Sequence, residues 1–213
     1  MHLFRLVIVF LFAILMSSIL IATGMPRLMV FFIVITFYLA AAVAPSIYIT
    51  YFSTSLKRID RFVKSNRRKP LFGYPYQIAY GNDEQIQQAL QKILARHRQP
   101  ELQQTYKALL AITQDQPGVA RQYAEQIQRE SLRTYYLAHA AANSGDYDHA
   151  TELMEQLKEP WMRSAIRALI AFETNDPQFD RLAEDSIAAA RGVQKYTLFH
   201  SFRRLKESGP KQI

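Results

Sequence analysis

Two uncharged apolar runs constrain this chain most: eighteen residues from Leu6 to Thr23, then, after Gly24, Met25, Pro26 and Arg27, a second run from Leu28 to Leu56. The ~30 Å hydrocarbon core of a bilayer takes roughly 20 helical residues, so each run is long enough to cross it. Backbone amides in lipid must be satisfied within each helix, which makes a helical hairpin the natural reading of two runs joined by four residues. Gly24 and Pro26 stop the first helix and restart the second. A cleaved signal peptide competes for the first run, since Arg5, an apolar stretch and small residues near Ala22 fit that pattern loosely. The hairpin reading assigns residues 1–52 to the membrane, with spans at about 6–23 and 28–50.

Orientation follows from the basic residues, which are retained on the cytoplasmic side of span ends. Arg5 precedes the first run, Arg27 alone occupies the turn, and Lys57, Arg58, Arg61, Lys64, Arg67, Arg68 and Lys69 follow the second. A multi-pass protein with both termini and its C-terminal domain in the cytoplasm is expected. The second helix should leave the bilayer near Tyr48 to Phe52, whose rings suit the interface. Ala13 with Ser17, and Ala40 with Ala44, offer small faces for a seam between the two helices. Neither run contains Asp, Glu, Lys or His, so nothing suggests an ion pathway.

The charge is as uneven as the hydropathy. Of 26 basic and 18 acidic residues, the first 69 positions hold nine basic residues against Asp60 alone, which leaves 17 of each sign and no net charge afterwards. A nucleic-acid binder would spread its excess over the folded domain, so nucleic acid is disfavoured as a partner. Leu56, Ile59, Phe62 and Val63 share one helical face, with basic residues on the rest. Residues 53–81 thus read as a polybasic juxtamembrane helix and linker. Anionic lipid headgroups attract such a helix by about 1 kcal/mol per basic residue, and a bare topology signal accounts for the same seven residues. Pro70 should end the helix, and Gly73, Pro75 and Gly81 should punctuate the linker. Tyr74, Tyr76 and Tyr80 either pack that linker onto the domain, the favoured reading, or form a docking motif.

From residue 82 to 207 the chain repeats. Pro70, Pro100 and Pro160 are separated by multiples of thirty, and Pro117 and Pro177 lie sixty apart. Blocks of thirty starting at Pro100, Glu130, Pro160 and Ala190 align without gaps. Tyr106, Tyr136, Ile166 and Tyr196 share one column; Leu109, His139, Leu169 and Phe199 a second; Ile112, Ala142, Phe172 and Phe202 a third. Ile127, Leu157 and Ile187 coincide later in the block. The step of three between the first columns is helical, and a fixed period of this length marks stacked supersecondary units. Each block predicts two helices joined by a turn at 115–117, 145–147 or 175–177. A lone second-type helix at about 83–97 precedes the blocks, and a lone first-type helix at 190–206 follows them. Residues 208–213 are a tail. The fold class expected is all-α: a two-helix transmembrane hairpin followed by a short solenoid of helix pairs.

The segment from Ser131 to Leu157 resembles a tetratricopeptide repeat. Leu137, Ala138 and Ala141 stand on its first helix, Gly145, Asp146 and Tyr147 at its turn, and Ala150 and Met154 on its second. The period departs from that family, being thirty and not thirty-four, and the other blocks lack the Gly-Asp-Tyr turn. The resemblance implies that the first helix of each pair lines an inner surface. That places Tyr135, His139 and Asn143 in a groove, with Lys107, Arg163 and Arg167 as the candidates from the other blocks.

Enzymatic motifs are missing. The seven glycines are never closer than eight residues, whereas phosphate cradles need them two to five apart. The chain has no cysteine, which excludes thiolate chemistry and thiolate metal sites. The five histidines show no ligand spacing, and Glu152, Glu155 and Glu159 fit a solvated helix face. No catalytic residue, cofactor or metal is expected. The function expected is a membrane-anchored adaptor or scaffold that binds a protein or peptide from a membrane-associated complex. The alternative is an integral accessory or assembly subunit, held mainly through its hairpin.

Overall fold

The computed structural model describes residues 2–209, with side chains from Val7 onward. Most of the expected tail, residues 210–213, lies outside the described residues. Among the described residues there are twelve helices and no strand. They fall into two compact units, Met1–Phe52 and Ser53–Ile213.

In the first unit, α1 (His2–Ala22) packs along α2 (Arg27–Ile47), which runs on into one π-helical turn, Tyr48–Phe52. The chain reverses at Gly24, whose φ of +81° is strained for any residue with a Cβ. Ala13 and Val30 are buried between the helices, and the rings of Phe12 and Phe37 meet at 5.4 Å. The Ser17 hydroxyl donates to the Ala13 carbonyl at 2.8 Å, which satisfies it within its own helix. The α2 side of the seam is not the expected one. Ala40 and Ala44 are exposed, while Val34, Tyr38, Ala41 and Pro45 turn inward with Val30 at steps of three and four. Larger residues on one stripe fill that seam better than two alanines. Among the described residues one helix, Arg27–Phe52, is long and apolar enough to cross a membrane, with 26 residues and a mean hydropathy of 2.4. The described apolar part of α1, Val7–Ala22, is shorter.

The second unit begins with α3 (Leu56–Asn66), α4 (Pro70–Tyr80) and α5 (Asp83–Arg96). Three pairs follow: α6 (Pro100–Thr113) with α7 (Pro117–Glu125), α8 (Glu130–Asn143) with α9 (Tyr147–Glu155), and α10 (Pro160–Glu173) with α11 (Phe179–Ala189). The last helix is α12 (Gly192–Ser208). The first helices of the pairs start thirty residues apart and are each 14 residues long.

Their ends repeat as well. Gln116, Asp146 and Asp176 each donate a backbone N–H to the carbonyl of Ala111, Ala141 or Ala171, at 2.9, 3.0 and 2.8 Å. Asp115, Gly145 and Asn175 donate to Ile112, Ala142 and Phe172, and all three have positive φ, at 56°, 82° and 55°. This is the Schellman closure of a helix, made three times in one register. Behind it lies a column of small residues, Ala108, Ala138 and Ala168, all fully buried. A methyl group at that position lets neighbouring helices approach closely.

The period slips in one place. Helix α11 starts at Phe179, two residues later than the spacing of α7 and α9 demands, because Asp176 caps a turn by accepting from the Gln178 N–H at 2.8 Å. Phe179 packs on Phe172 and Phe202, at 5.2 and 6.1 Å. Ile127 and Leu157 are buried as expected, but Ile187 is only half-buried; Ala183 and Ser186 take the inner positions.

Residues 70–80, expected as a linker, form α4. Pro70 occupies the first helical position, where a missing N–H costs nothing, and burial of Tyr74, Pro75 and Ile78 holds the helix across its internal proline. Tyr74 and Ile78 join Ile86, Leu90 and Ile93 of α5 in one cluster. The linker tyrosines are packing residues: Tyr80 donates to Asp60, and the Tyr76 ring lies under Arg67.

The stack also closes. Helix α12 packs on α11 and on both α3 and α4, so the path through the pairs returns to where the unit begins. Gly192 donates its N–H to the Ser53 carbonyl at 2.8 Å. Asp60 of α3 accepts from Tyr80 of α4 at 2.6 Å and from Tyr196 of α12 at 3.0 Å, and pairs with Lys64 at 2.9 Å. Burial works to raise the Asp60 pKa, but the hydrogen bonds from Tyr80, Lys64 and Tyr196 outweigh it and hold the carboxyl below its ordinary value.

Candidate functional site

The closure leaves a cavity of about 610 Å³, open on one side to solvent and within the usual size range of small-ligand pockets. Its wall is built from the thirty-residue period. Leu109, His139 and Leu169 form one row across α6, α8 and α10, and Thr113, Asn143 and Glu173 form the next row, one turn on. Tyr74 and Ile78 of α4 and Leu205 of α12 complete an apolar floor and side. The mouth carries four carboxylates, Asp83, Asp115, Glu173 and Glu207, against Arg204. Arg204 donates to the Gly81 carbonyl at 2.7 Å and pairs with Asp83, and Glu207 pairs with Arg203 at 2.8 Å.

His139 contributes an imidazole to the wall. Burial pushes its imidazole down to about 4, so it is neutral at pH 7. Its Nδ1 is buried and has no hydrogen-bond partner within the protein. That nitrogen is closed off from solvent, so the ring meets the cavity through its other atoms.

Of the candidates read from the sequence, His139 and Asn143 lie together in this wall. Tyr135, one turn before them, is half-buried against Trp161 and Tyr136, with ring centroids at 5.4 Å from each. Lys107 turns away, its ammonium 5.5 Å from the Tyr123 ring of α7. Arg163 and Arg167 are exposed and lie outside the cavity wall, on the face of α10 away from Leu169 and Glu173. In the block that carries the resemblance, His139 and Asn143 line the cavity and Tyr135 does not. In the blocks on either side, the residues facing the cavity are those thirty positions from His139 and Asn143, and the basic residues are not among them. Leu109, Thr113, Leu169 and Glu173 were missed although the period marks them. Asp83 and Arg204 carry no such signal, since closure alone brings them to the mouth.

The basic candidates Lys57, Arg58, Arg61, Lys64, Arg67, Arg68 and Lys69 are all exposed. Lys64 is engaged by Asp60 and stands 4.5 Å from the centre of the Tyr80 ring.

No protein family, characterised protein or solved structure matches the chain. The fold class therefore stands on the helices themselves: an all-α chain of neighbouring helix pairs, compatible with a helical-repeat fold.

Proposed function

We propose that the protein is a membrane-anchored adaptor whose tetratricopeptide-like unit holds a short protein segment in the cavity between its inner helices. Both apolar helices cross the membrane in this reading, and the unit from Ser53 onward lies in the cytoplasm. The observation that carries it is the wall itself. Two rows of side chains from three successive pairs face one space, as expected of stacked repeats that use one face for binding. The apolar wall residues Leu109, Leu169 and Tyr74 favour a segment that carries an apolar side chain. Asn143 and the His139 ring supply hydrogen-bonding groups for a peptide backbone.

Site-specific photo-crosslinking in membranes tests this reading. A photoreactive residue at Asn143 should capture one protein, and Thr113→Trp, which puts a large ring at the half-buried wall, should abolish that capture while the melting temperature stays near the parent's. The same residue at Arg163 should not capture it. Equal capture from both positions would remove the cavity from the function. Capture that survives Thr113→Trp but disappears when the two apolar helices are replaced would favour an assembly subunit held by its hairpin.

A further inference from the structure

The basic face of α3 is not that of a free amphipathic helix. Ile59 and Val63 have no exposed surface and Phe62 is 8 % exposed, with Phe62 set edge-on to Phe72 of α4 at 5.2 Å. A free amphipathic helix holds a bilayer by inserting its apolar face. Here that face is spent inside the unit, and what points outward is charge: Lys57, Arg58 and Arg61 in the first turns of α3.

Closure adds a basic residue that lies far away in sequence. The N–H of Gly192 bonds the Ser53 carbonyl, which sets Arg191 beside the start of α3. Arg191 is exposed, and its guanidinium is steadied by the carbonyls of Ala188 and Ala190 at 3.0 and 3.3 Å. Ser53 directly follows Phe52, so this corner stands next in sequence to the apolar helices.

We infer that Lys57, Arg58 and Arg61 of α3, together with Arg191 at the α11–α12 corner, form one rigid face for anionic phospholipid headgroups that binds by charge without insertion. Charge complementarity selects this occupant. The patch has no apolar centre of the kind a protein interface buries, and the remainder of the unit lacks the basic excess that tracks a nucleic-acid backbone. Each basic residue near an anionic surface strengthens attachment by about fivefold. The attraction decays within a Debye length of ~10 Å at 0.1 M salt, so the contact is reversible by salt.

The full chain in lipid nanodiscs tests it. The chain has no cysteine, so a donor dye can be placed uniquely at Ala188→Cys beside the patch, or at Ser144→Cys in the turn between α8 and α9. Energy transfer to a headgroup-labelled acceptor should rise at the 188 position when about 30 % phosphatidylserine replaces phosphatidylcholine. It should return to baseline at about 0.5 M salt. Arg191→Gln should remove part of the rise, and Lys57→Gln with Arg58→Gln and Arg61→Gln the rest. Equal transfer in both lipids, an equal rise at position 144, or transfer that persists at high salt would overturn the proposal. So would an unaltered rise in Arg191→Gln, which would leave α3 acting alone, or tight salt-sensitive capture of duplex DNA with no lipid response.

Discussion

The carboxylate of Asp60 accepts a hydrogen bond from the hydroxyl of Tyr196 at 3.0 Å, across 136 positions of sequence. That contact joins the first helix of the second unit to the last, and Tyr80 reaches the same oxygen from α4. Tyr196 is 1 % exposed, and its ring lies 4.4 Å from that of His200. Tyr196→Phe should keep the packing and cost roughly 1.5 to 3 kcal/mol, the range for a hydrogen bond to a charged group. Urea unfolding of the two proteins in the same detergent measures it, and a difference below ~0.5 kcal/mol would mean that the hydroxyl does not hold the closure.

Leu157 lies two residues past the end of α9 and is 2 % exposed, while Glu155, the last residue of that helix, is exposed. Leu157→Ala should cost about 2 to 5 kcal/mol, and Glu155→Ala should stay within about 0.5 kcal/mol. Equal melting temperatures for the two variants would remove the structural meaning of the thirty-residue period.

His139 makes stability depend on pH in a definite direction. Its folded pKa of about 4 lies below the ordinary value of 6.5, so the unfolded chain binds the extra proton between those limits. Its contribution is complete above pH 6.5 and is lost as pH falls, at up to about 1.4 kcal/mol per unit, until the folded imidazole itself takes a proton near 4. His200, also lowered chiefly by burial, acts in the same sense. Melting curves from pH 7 to 4 should show a shallower fall for His139→Gln than for the parent. Superimposable slopes would show that the ring is not held neutral.

Gly145 sits at φ +82° with open space where a methyl group would stand, so only backbone strain opposes substitution. Gly145→Ala should cost about 1 to 2 kcal/mol. In the same column Asn175→Gly should be neutral or stabilising, because Asn175 already carries that conformation with a side chain, at φ 55°. Thermal melts of both variants decide whether the three turns are equivalent.

The proposed orientation rests on seven basic residues after the second apolar run against Arg27 alone in the turn. A reporter active only outside the cytoplasm, fused at the C-terminus, should stay silent, and one inserted beside Met25 should be active. Activity at the C-terminus would reverse the topology.

What is local or periodic in this protein is legible in its residue order. Apolar runs and the Gly24–Pro26 turn dictated two helices before Ser53, because helix length, glycine and proline act within a few residues. The thirty-residue spacing placed α5 to α12 to within two residues, since each helix start and Schellman turn depends on side chains beside it. The same period already contained the cavity wall around His139 and Asn143, although Lys107, Arg163 and Arg167, the conspicuous charges of the flanking blocks, lie outside it.

Long-range packing settled the rest. Pro75, inside α4, argues locally against a helix, and burial of Tyr74 and Ile78 against α5 overrides it. No pattern in one block shows that α12 returns to α3, since Asp60 and Tyr196 become neighbours only through the summed rotation of the pairs between them. That closure added α4 and α12 to the walls of the expected groove, brought Asp83 and Arg204 together, and set Gly192 against Ser53. A period fixes each step of a repeat stack, but where the stack ends depends on the accumulated geometry of every interface along it.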